Sequence, residues 1–180
     1  LANEIRTGAI PTDSPEFDEA EQRVNDQINK FLNNNGSKSV DYYHKKLGLI
    51  MWNKVGMGRN EQGLKEAIEE IAQLKVEFHQ NVFVPGSANE MNPELEKALR
   101  VADFIELGQL MAIDALQRKE SCGGHFREEY QDEEGETLRD DENFKFVGAW
   151  EYKGDDINNE VLHKEPLNYE FIKIAARNYK

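Results

Sequence analysis

The chain has 180 residues, which at roughly 150 per domain leaves one domain with room for an appended arm. Its 22 lysines and arginines against 35 aspartates and glutamates give a formal net charge of −13 and a pI near 4.8, with a mean hydropathy of −0.78. That balance excludes a nucleic-acid partner, because a phosphate backbone is held by clustered cations. No apolar run approaches the ~20 residues that a membrane-spanning helix needs, and no stretch has the pattern of a secretory signal. The lone cysteine, Cys122, rules out an internal disulfide and suits a reducing compartment. The opening, Leu1 to Gly8, carries no initiator methionine, and we expect a segment of a longer protein.

In chain order, Gly8 to Pro15 reads as a loop feeding a helix, with Ser14 as its cap and Pro15 at its first position. Phe17, Ala20, Val24, Ile28, Phe31 and Leu32 then recur at helical spacing, and Asn33 to Gly36 ends the run. A second helix is predicted from about Ser39 to Val55, with Val40, Tyr43, Leu47, Ile50 and Met51 on one stripe and Gly56 and Gly58 as its terminator. Asn60 caps a third helix whose inner face is Leu64, Ala67, Ile68, Ile71, Leu74 and Phe78, opposite a charged face. After a loop from Gln80 to Met91, Asn92-Pro93 starts a fourth. Its second half, Phe104 to Leu116, is apolar on nearly every side, so we expect Phe104, Ile105, Leu110 and Ile113 at the centre of the core.

Beyond Lys119 the character changes. Glu120 to Asn143 holds ten acidic residues against Arg127 and Arg139 and reads as a loop. Phe144, Phe146, Trp150 and Tyr152 alternate with Lys145, Val147, Glu151 and Lys153, the pattern of a strand with one aromatic face. A turn at Gly154-Asp155-Asp156 and a return strand over Val161–Glu165 complete a hairpin, and Tyr169 to Lys180 fits either strand or helix.

Three constellations carry chemistry. Cys122 and His125 offer a thiolate and an imidazole, but a structural zinc site takes four such ligands and His44, His79 and His163 lie in unrelated elements. Nor does a spacing of three across a glycine turn set up a nucleophile and base, so Gly123-Gly124 reads as a sharp turn after the long helix. The ionisable cluster of His125, Arg127, Glu128, Glu129, Arg139, Asp140, Asp141 and Glu142 reads as an ion network, more than as a pair of tuned carboxylates, because arginines and carboxylates favour two-point pairing. The aromatic stripe reads as packing. Gly56 to Gly63 is rich in glycine but follows a helix, which removes the strand context that a dinucleotide loop requires.

Two of these stretches carry a resemblance. Met51-Trp52-Asn53-Lys54-Val55-Gly56-Met57-Gly58-Arg59, followed by Gly63-Leu64, resembles the second-helix signature of the C-terminal helical domain in succinate dehydrogenase and fumarate reductase flavoprotein subunits. Arg118 to Tyr130, with Arg139 to Phe144, resembles that domain's closing motif, usually Glu-Ser-Arg-Gly-Ala-His-x-Arg-x-Asp and later Arg-Asp-Asp-x-x-Trp. Here Cys122 stands for the common arginine, Gly124 for the alanine, Glu129 for the aspartate and Phe144 for the tryptophan, a form similar to one bacterial branch of the family. The resemblance spans essentially the whole chain.

It implies a mainly α fold, an antiparallel up-and-down bundle of three to four helices in the manner of a spectrin repeat, over residues 1–120, with a charged arm and β-hairpin over 121–180 packed on it. It implies a parent subunit that interconverts succinate and fumarate by hydride transfer to FAD. Electrons would pass to an iron–sulfur subunit and on to quinone through a membrane anchor, with the flavoprotein cytoplasmic and peripheral to the inner membrane. The flavin and substrate motifs of that family belong to its FAD-binding and capping domains, so no catalytic, cofactor-binding or metal-binding residue is assigned here and no cofactor is expected in this segment alone. Cys122, Gly123, Gly124, His125, Arg127, Arg139, Asp140 and Asp141 are expected to face the FAD-binding and capping domains of the same chain. The competing assignments are the related domain of L-aspartate oxidase and a free-standing helical interaction module.

Overall fold

A computed structural model describes residues 12–154 and 156–175. Four helices, α1 (Pro15–Leu32), α2 (Val40–Ile50), α3 (Glu61–Asn81) and α4 (Pro93–Gln117), form the body among the described residues. Three of them start where the sequence supplies a cap. The side chains of Ser39, Asn60 and Asn92 accept from the backbone N–H of Tyr42, Gly63 and Leu95, satisfying donors that the first turn leaves free. Ser14 differs: it has the extended cap conformation, but its side chain makes no capping bond and only its carbonyl accepts, from Phe17 and Asp18. The predicted loop before it lies mostly outside the described residues.

Cross-helix contacts fix the directions. Lys46 reaches Glu77 while Lys54 reaches Glu66 and Glu70, so α2 runs antiparallel to α3. Gln109 donates to the Ile68 carbonyl and Lys75 lies beside Glu106, so α3 runs antiparallel to α4. Leu64, Ala67, Ile71, Leu74 and Phe78 of α3 are buried between Tyr43, Leu47 and Ile50 of α2 and Val101, Ile105, Ala112 and Ala115 of α4. Tyr43 is wholly enclosed. Its hydroxyl donates to the Glu77 carbonyl at 3.3 Å, and burial, with the Glu77 charge, pushes its pKa up to about 12. The first helix joins through its end: Ile28, Phe31 and Leu32 reach the core, whereas Phe17 and Val24 of the same stripe are exposed.

The expected centre of the core needs a correction. Ile105 is fully buried, but Phe104 is 43% exposed, and Leu110 and Ile113 are only half-buried. The inner face of α4 is Ile105, Gly108, Gln109, Ala112 and Ala115, its small members letting neighbouring helices approach closely, Gly108 against Leu47 and Met51, while Phe104, Leu107 and Met111 line an outer groove with His44 and Met51. An all-round apolar helix does not say which side its neighbours occupy.

The second helix changes pitch at its end. Met51–Val55 continues α2 as a π-helical turn, which widens the coil before Gly56. Gly56 ends the helix by close approach, not by a left-handed backbone: its φ is −65°, and a Cβ built there would lie 2.6 Å from the Trp52 carbonyl oxygen. Gly56→Ala is therefore expected to cost about 1–3 kcal/mol, the range for forced backbone shifts, read as a lowered denaturation midpoint with an unchanged slope.

Short parallel pairings tie distant segments: β1 (Lys38–Ser39) with β3 (Val82–Phe83), and β2 (Gly58–Arg59) with β4 (Phe126–Arg127). No sequence pattern marks strands of two residues. The hairpin forms as expected, from β5 (Phe146–Glu151) and β6 (Val161–Pro166) in antiparallel register, with Phe146 opposite Pro166 and Glu151 opposite Val161. Phe144 precedes the strand. The segment from Leu167 to Ala175 is neither strand nor helix, and the rest of the tail lies outside the described residues.

Candidate functional site

The two motif stretches, far apart in sequence, meet at the C-terminal end of α4. The closing motif begins where α4 stops. Cys122 and His125 exchange backbone hydrogen bonds, Cys122 N–H to His125 O at 2.8 Å and His125 N–H to Cys122 O at 3.0 Å, closing a tight turn over Gly123-Gly124. Gly123 has φ +59°, the left-handed region where a side chain is strained. The turn aims the following residues back at the helix end.

Arg127 is the central residue there and corrects an expectation. Its side chain is 1% exposed and points into the domain, not outward toward a further one. Nη1 donates to the carbonyls of Ala115 at 3.0 Å and Leu116 at 3.4 Å, Nε donates to Glu129 at 3.1 Å, and the guanidinium lies over the Tyr130 ring. The last carbonyls of a helix lack intrahelical donors and carry the negative end of its dipole, so a buried cation there satisfies both. Ser121 locks the backbone beside it, its hydroxyl donating to the Arg127 carbonyl and accepting from the Arg127 N–H.

Arg118 and Glu120 hold the other flank. Glu120, 2% exposed, accepts from Arg118 at 2.6 Å and from the Asp140 N–H at 2.8 Å, which draws the acidic loop onto the body. Arg118 also donates to the Phe144 and Phe146 carbonyls and lies against the Phe146 ring. Trp150 donates to Asp114 at 2.9 Å. Phe144, Phe146 and Trp150 of the aromatic stripe thus fasten the hairpin to the end of α4, while Tyr152 is exposed. The sequence places Arg118, Glu120 and Ser121 in the closing motif but assigns them no role, although their place at a helix end, where carbonyls and N–H groups want partners, is a usable signal.

The earlier motif supplies Arg59. Its Nε donates to the Gly56 carbonyl at 3.1 Å, and its Nη1 contacts His125 Nδ1 at 3.1 Å. Around this contact the Glu128 N–H donates to the Arg59 carbonyl, Asn60 donates to the Glu128 carboxylate, and the Glu61 N–H meets the Glu129 carboxylate. Burial lowers the His125 pKa, and the positive charges of Arg59, Arg127 and Arg118 lower it further against the opposing bond to the Arg118 carbonyl. Burial also lowers that of Arg59.

The remaining candidates sit at the rim. Cys122 is half-buried, Gly123 and Gly124 are exposed, Arg139 pairs two-pronged with Asp141 at 2.7 and 2.6 Å, and Asp140 accepts from the N–H and side-chain amide of Asn143. These hydrogen bonds within Asp140's own turn, the side-chain amide foremost, hold its carboxyl below the usual range. The structure brings Cys122, His125 and Arg127 together and leaves the Arg139–Asp141 pair on the surface nearby. No group of three or more His, Cys, Asp or Glu side chains suited to a metal occurs among the described residues.

The glycine-rich stretch does not fit FAD. The glycines of Gly56 to Gly63 enter from a π-helical turn, and the polar groups beside them are committed to Arg59–Gly56 and Asn60–Gly63 contacts. No helix among the described residues is long and apolar enough to cross a membrane.

This helical body, closed by a clasp of two motifs and a hairpin, is the architecture of a flavoprotein's C-terminal domain. A family model described as "Fumarate reductase flavoprotein C-term" matches residues 44–179, and the chain belongs to that family. The fumarate reductase flavoprotein subunit of Proteus vulgaris is 27% identical over 136 residues, 76% of this chain and 22% of that protein. The subunit of the same name in Helicobacter pylori is 31% identical over 127 residues, 69% of this chain and 17% of its own length. This chain therefore spans about a fifth of these relatives. A solved structure described as quinol-fumarate reductase with menaquinol molecules shares the fold at a TM-score of 0.76, covering 94% of this chain and 28% of its own at 21% identity. L-aspartate oxidase 2 of Ralstonia nicotianae is 34% identical, but over only 86 residues, 48% of this chain.

Proposed function

We propose that this chain is the helical C-terminal part of a flavoprotein subunit that interconverts succinate and fumarate, and that its own part is structural. In this reading residues 1–120 form the bundle and 121–180 an arm packed on it. The FAD-binding and capping domains of the longer protein hold the flavin, and electrons leave through an iron–sulfur subunit to quinone at a membrane anchor. The subunit itself would sit in the cytoplasm at the inner membrane's face. FAD supplies hydride acceptance when bound in the whole subunit; the residues of this chain orient the surface against which those domains sit.

The observation that carries the reading is the match over residues 44–179 together with the clasp, which spends the family's motif residues on building one rigid rim. The L-aspartate oxidase relative covers under half of the chain and stands behind it. Cys122, Gly123, Gly124, His125, Arg139, Asp140 and Asp141 make up the proposed interdomain face, with Arg127 beneath it as support. Exposed glycines allow close approach of another backbone, and the Arg139–Asp141 pair offers charges for exchange.

The test has two arms. The 180-residue chain purified with FAD present is expected to be colourless and inactive in a succinate–dye assay; stoichiometric flavin or turnover overturns the structural role. In the full subunit, Arg139→Ala is expected to weaken flavin retention, while the melting of this chain alone moves by less than about 1 kcal/mol, the usual worth of an exposed ion pair. Unchanged retention in the full subunit would remove Arg139 from the interface; a self-standing helical module would also be colourless, so the flavin-retention arm is the one that separates the two readings.

A further inference from the structure

The contacts of His125 define its protonation state without ambiguity. Its Nε2 lies 2.9 Å from the Arg118 carbonyl oxygen, which only accepts, so Nε2 carries the hydrogen. Its Nδ1 lies 3.1 Å from Arg59 Nη1, which only donates, so Nδ1 presents a bare lone pair. The neutral ring is thus the bolt between the end of α4 and the turn leading into α3.

We propose that His125 is a pH-operated latch: as a neutral ring it fastens Arg59 to the Cys122–His125 turn, and a proton taken from solvent onto Nδ1 releases that contact. The proton occupies the lone pair that accepts from Arg59, so the hydrogen bond is replaced by two donors facing each other. The charges that act on the ring are cationic: Arg59 from β2, Arg118 from the end of α4 and Arg127 from β4. The nearby carboxylates are engaged elsewhere, Glu120 by Arg118, Glu128 by Asn60, and Glu129 by Arg127 and the Glu61 N–H. Asp114 on α4 acts on Arg59 only through its charge, and its carboxylate accepts from Trp150. Of these surroundings only the Arg118 carbonyl favours an imidazolium, and burial with the three arginines outweighs it, so the clasp parts as one forms.

The direction of the pH effect follows from the burial already described. A histidine whose folded pKa lies below its free value binds fewer protons closed than open. The latch is therefore shut above the ordinary histidine value of about 6.5 and loosens as pH falls from there toward the closed ring's lower pKa. Over that window the open fraction grows roughly tenfold per pH unit.

The experiment follows the Glu128 amide, which donates to the Arg59 carbonyl across the clasp, by hydrogen exchange corrected for intrinsic rate between pH 7.5 and 5.5. Wild type is expected to lose protection at that amide about tenfold per unit below 6.5, while His125→Gln, which keeps a donor and an acceptor but does not titrate, stays flat. His79, the other half-buried histidine with a lowered pKa, titrates in both proteins and cancels in the comparison. Parallel loss in wild type and His125→Gln, or a His125 ring that titrates with the amide still protected, overturns the latch. If His125→Gln does not fold, ring nitrogen shifts of wild type decide alone: a ring that gains its Nδ1 proton while the Glu128 amide keeps its protection is equally fatal.

Discussion

Arg127→Ala should lower the stability of this chain by about 3–5 kcal/mol, the cost of removing a buried, hydrogen-bonded charge and leaving the helix-end carbonyls without it. At about 2–4 °C per kcal/mol for a chain of this size, the melting temperature should fall by roughly 6–20 °C. The reason lies in what the guanidinium leaves behind. The carbonyls of Ala115 and Leu116, the Glu129 carboxylate and the face of Tyr130 all lose their partner at once, and although water reaches Glu129, the space that Arg127 itself fills is buried. Arg127→Lys should recover only part of the loss, since an ammonium on a flexible stem cannot serve Nε and Nη1 positions together. Thermal melts followed by circular dichroism measure this. A shift of under about 2 °C for the alanine variant would mean that other donors cap α4, and the residue would return to the interface as first expected.

The second large effect is Ile105→Ala. This side chain is fully buried between α3 and α4, and its truncation should cost about 2–5 kcal/mol through lost transfer energy and the cavity left behind. Phe104→Ala, one residue away, should cost less than about 1 kcal/mol in this chain, because an exposed ring gives up little when removed. Leu110→Ala should fall between the two. Denaturant melts of the three variants rank them directly, and equal losses at 104 and 105 would show that the outer groove of α4 is covered after all.

That contrast marks how far the sequence reaches. Helix starts were legible because capping is local: Ser39, Asn60 and Asn92 act on N–H groups three residues on. The hairpin was legible because alternation has a period of its own. The buried side of α4 was not, since Phe104 and Ile105 look alike to any hydropathy pattern and only the position of α3 separates them. Arg127 misled for a similar reason. Charged side chains are almost never fully buried unless paired, and the carbonyls that bury this one belong to a helix eleven or twelve residues back. Of the candidate site, the residues were visible as a motif, but the meeting of Arg59 with His125 across 66 positions had no local trace.

The span of the clasp also sets an order of birth. β2 and β4 close a loop that contains all of α3 and α4, and the entropy of such a closure is met only once those helices have paired. On the ribosome, α4 is complete when Gln117 emerges, yet the donor for its last carbonyls is Arg127, which arrives later. Domains fold as units during synthesis at about 5–20 residues per second, so the interval is of the order of a second. A nascent chain paused inside it, or a translation product ending near residue 120, carries a finished bundle with an unsealed helix end. The arm therefore seals the end of α4 only after the bundle that it closes has been made, and the hairpin follows it off the ribosome.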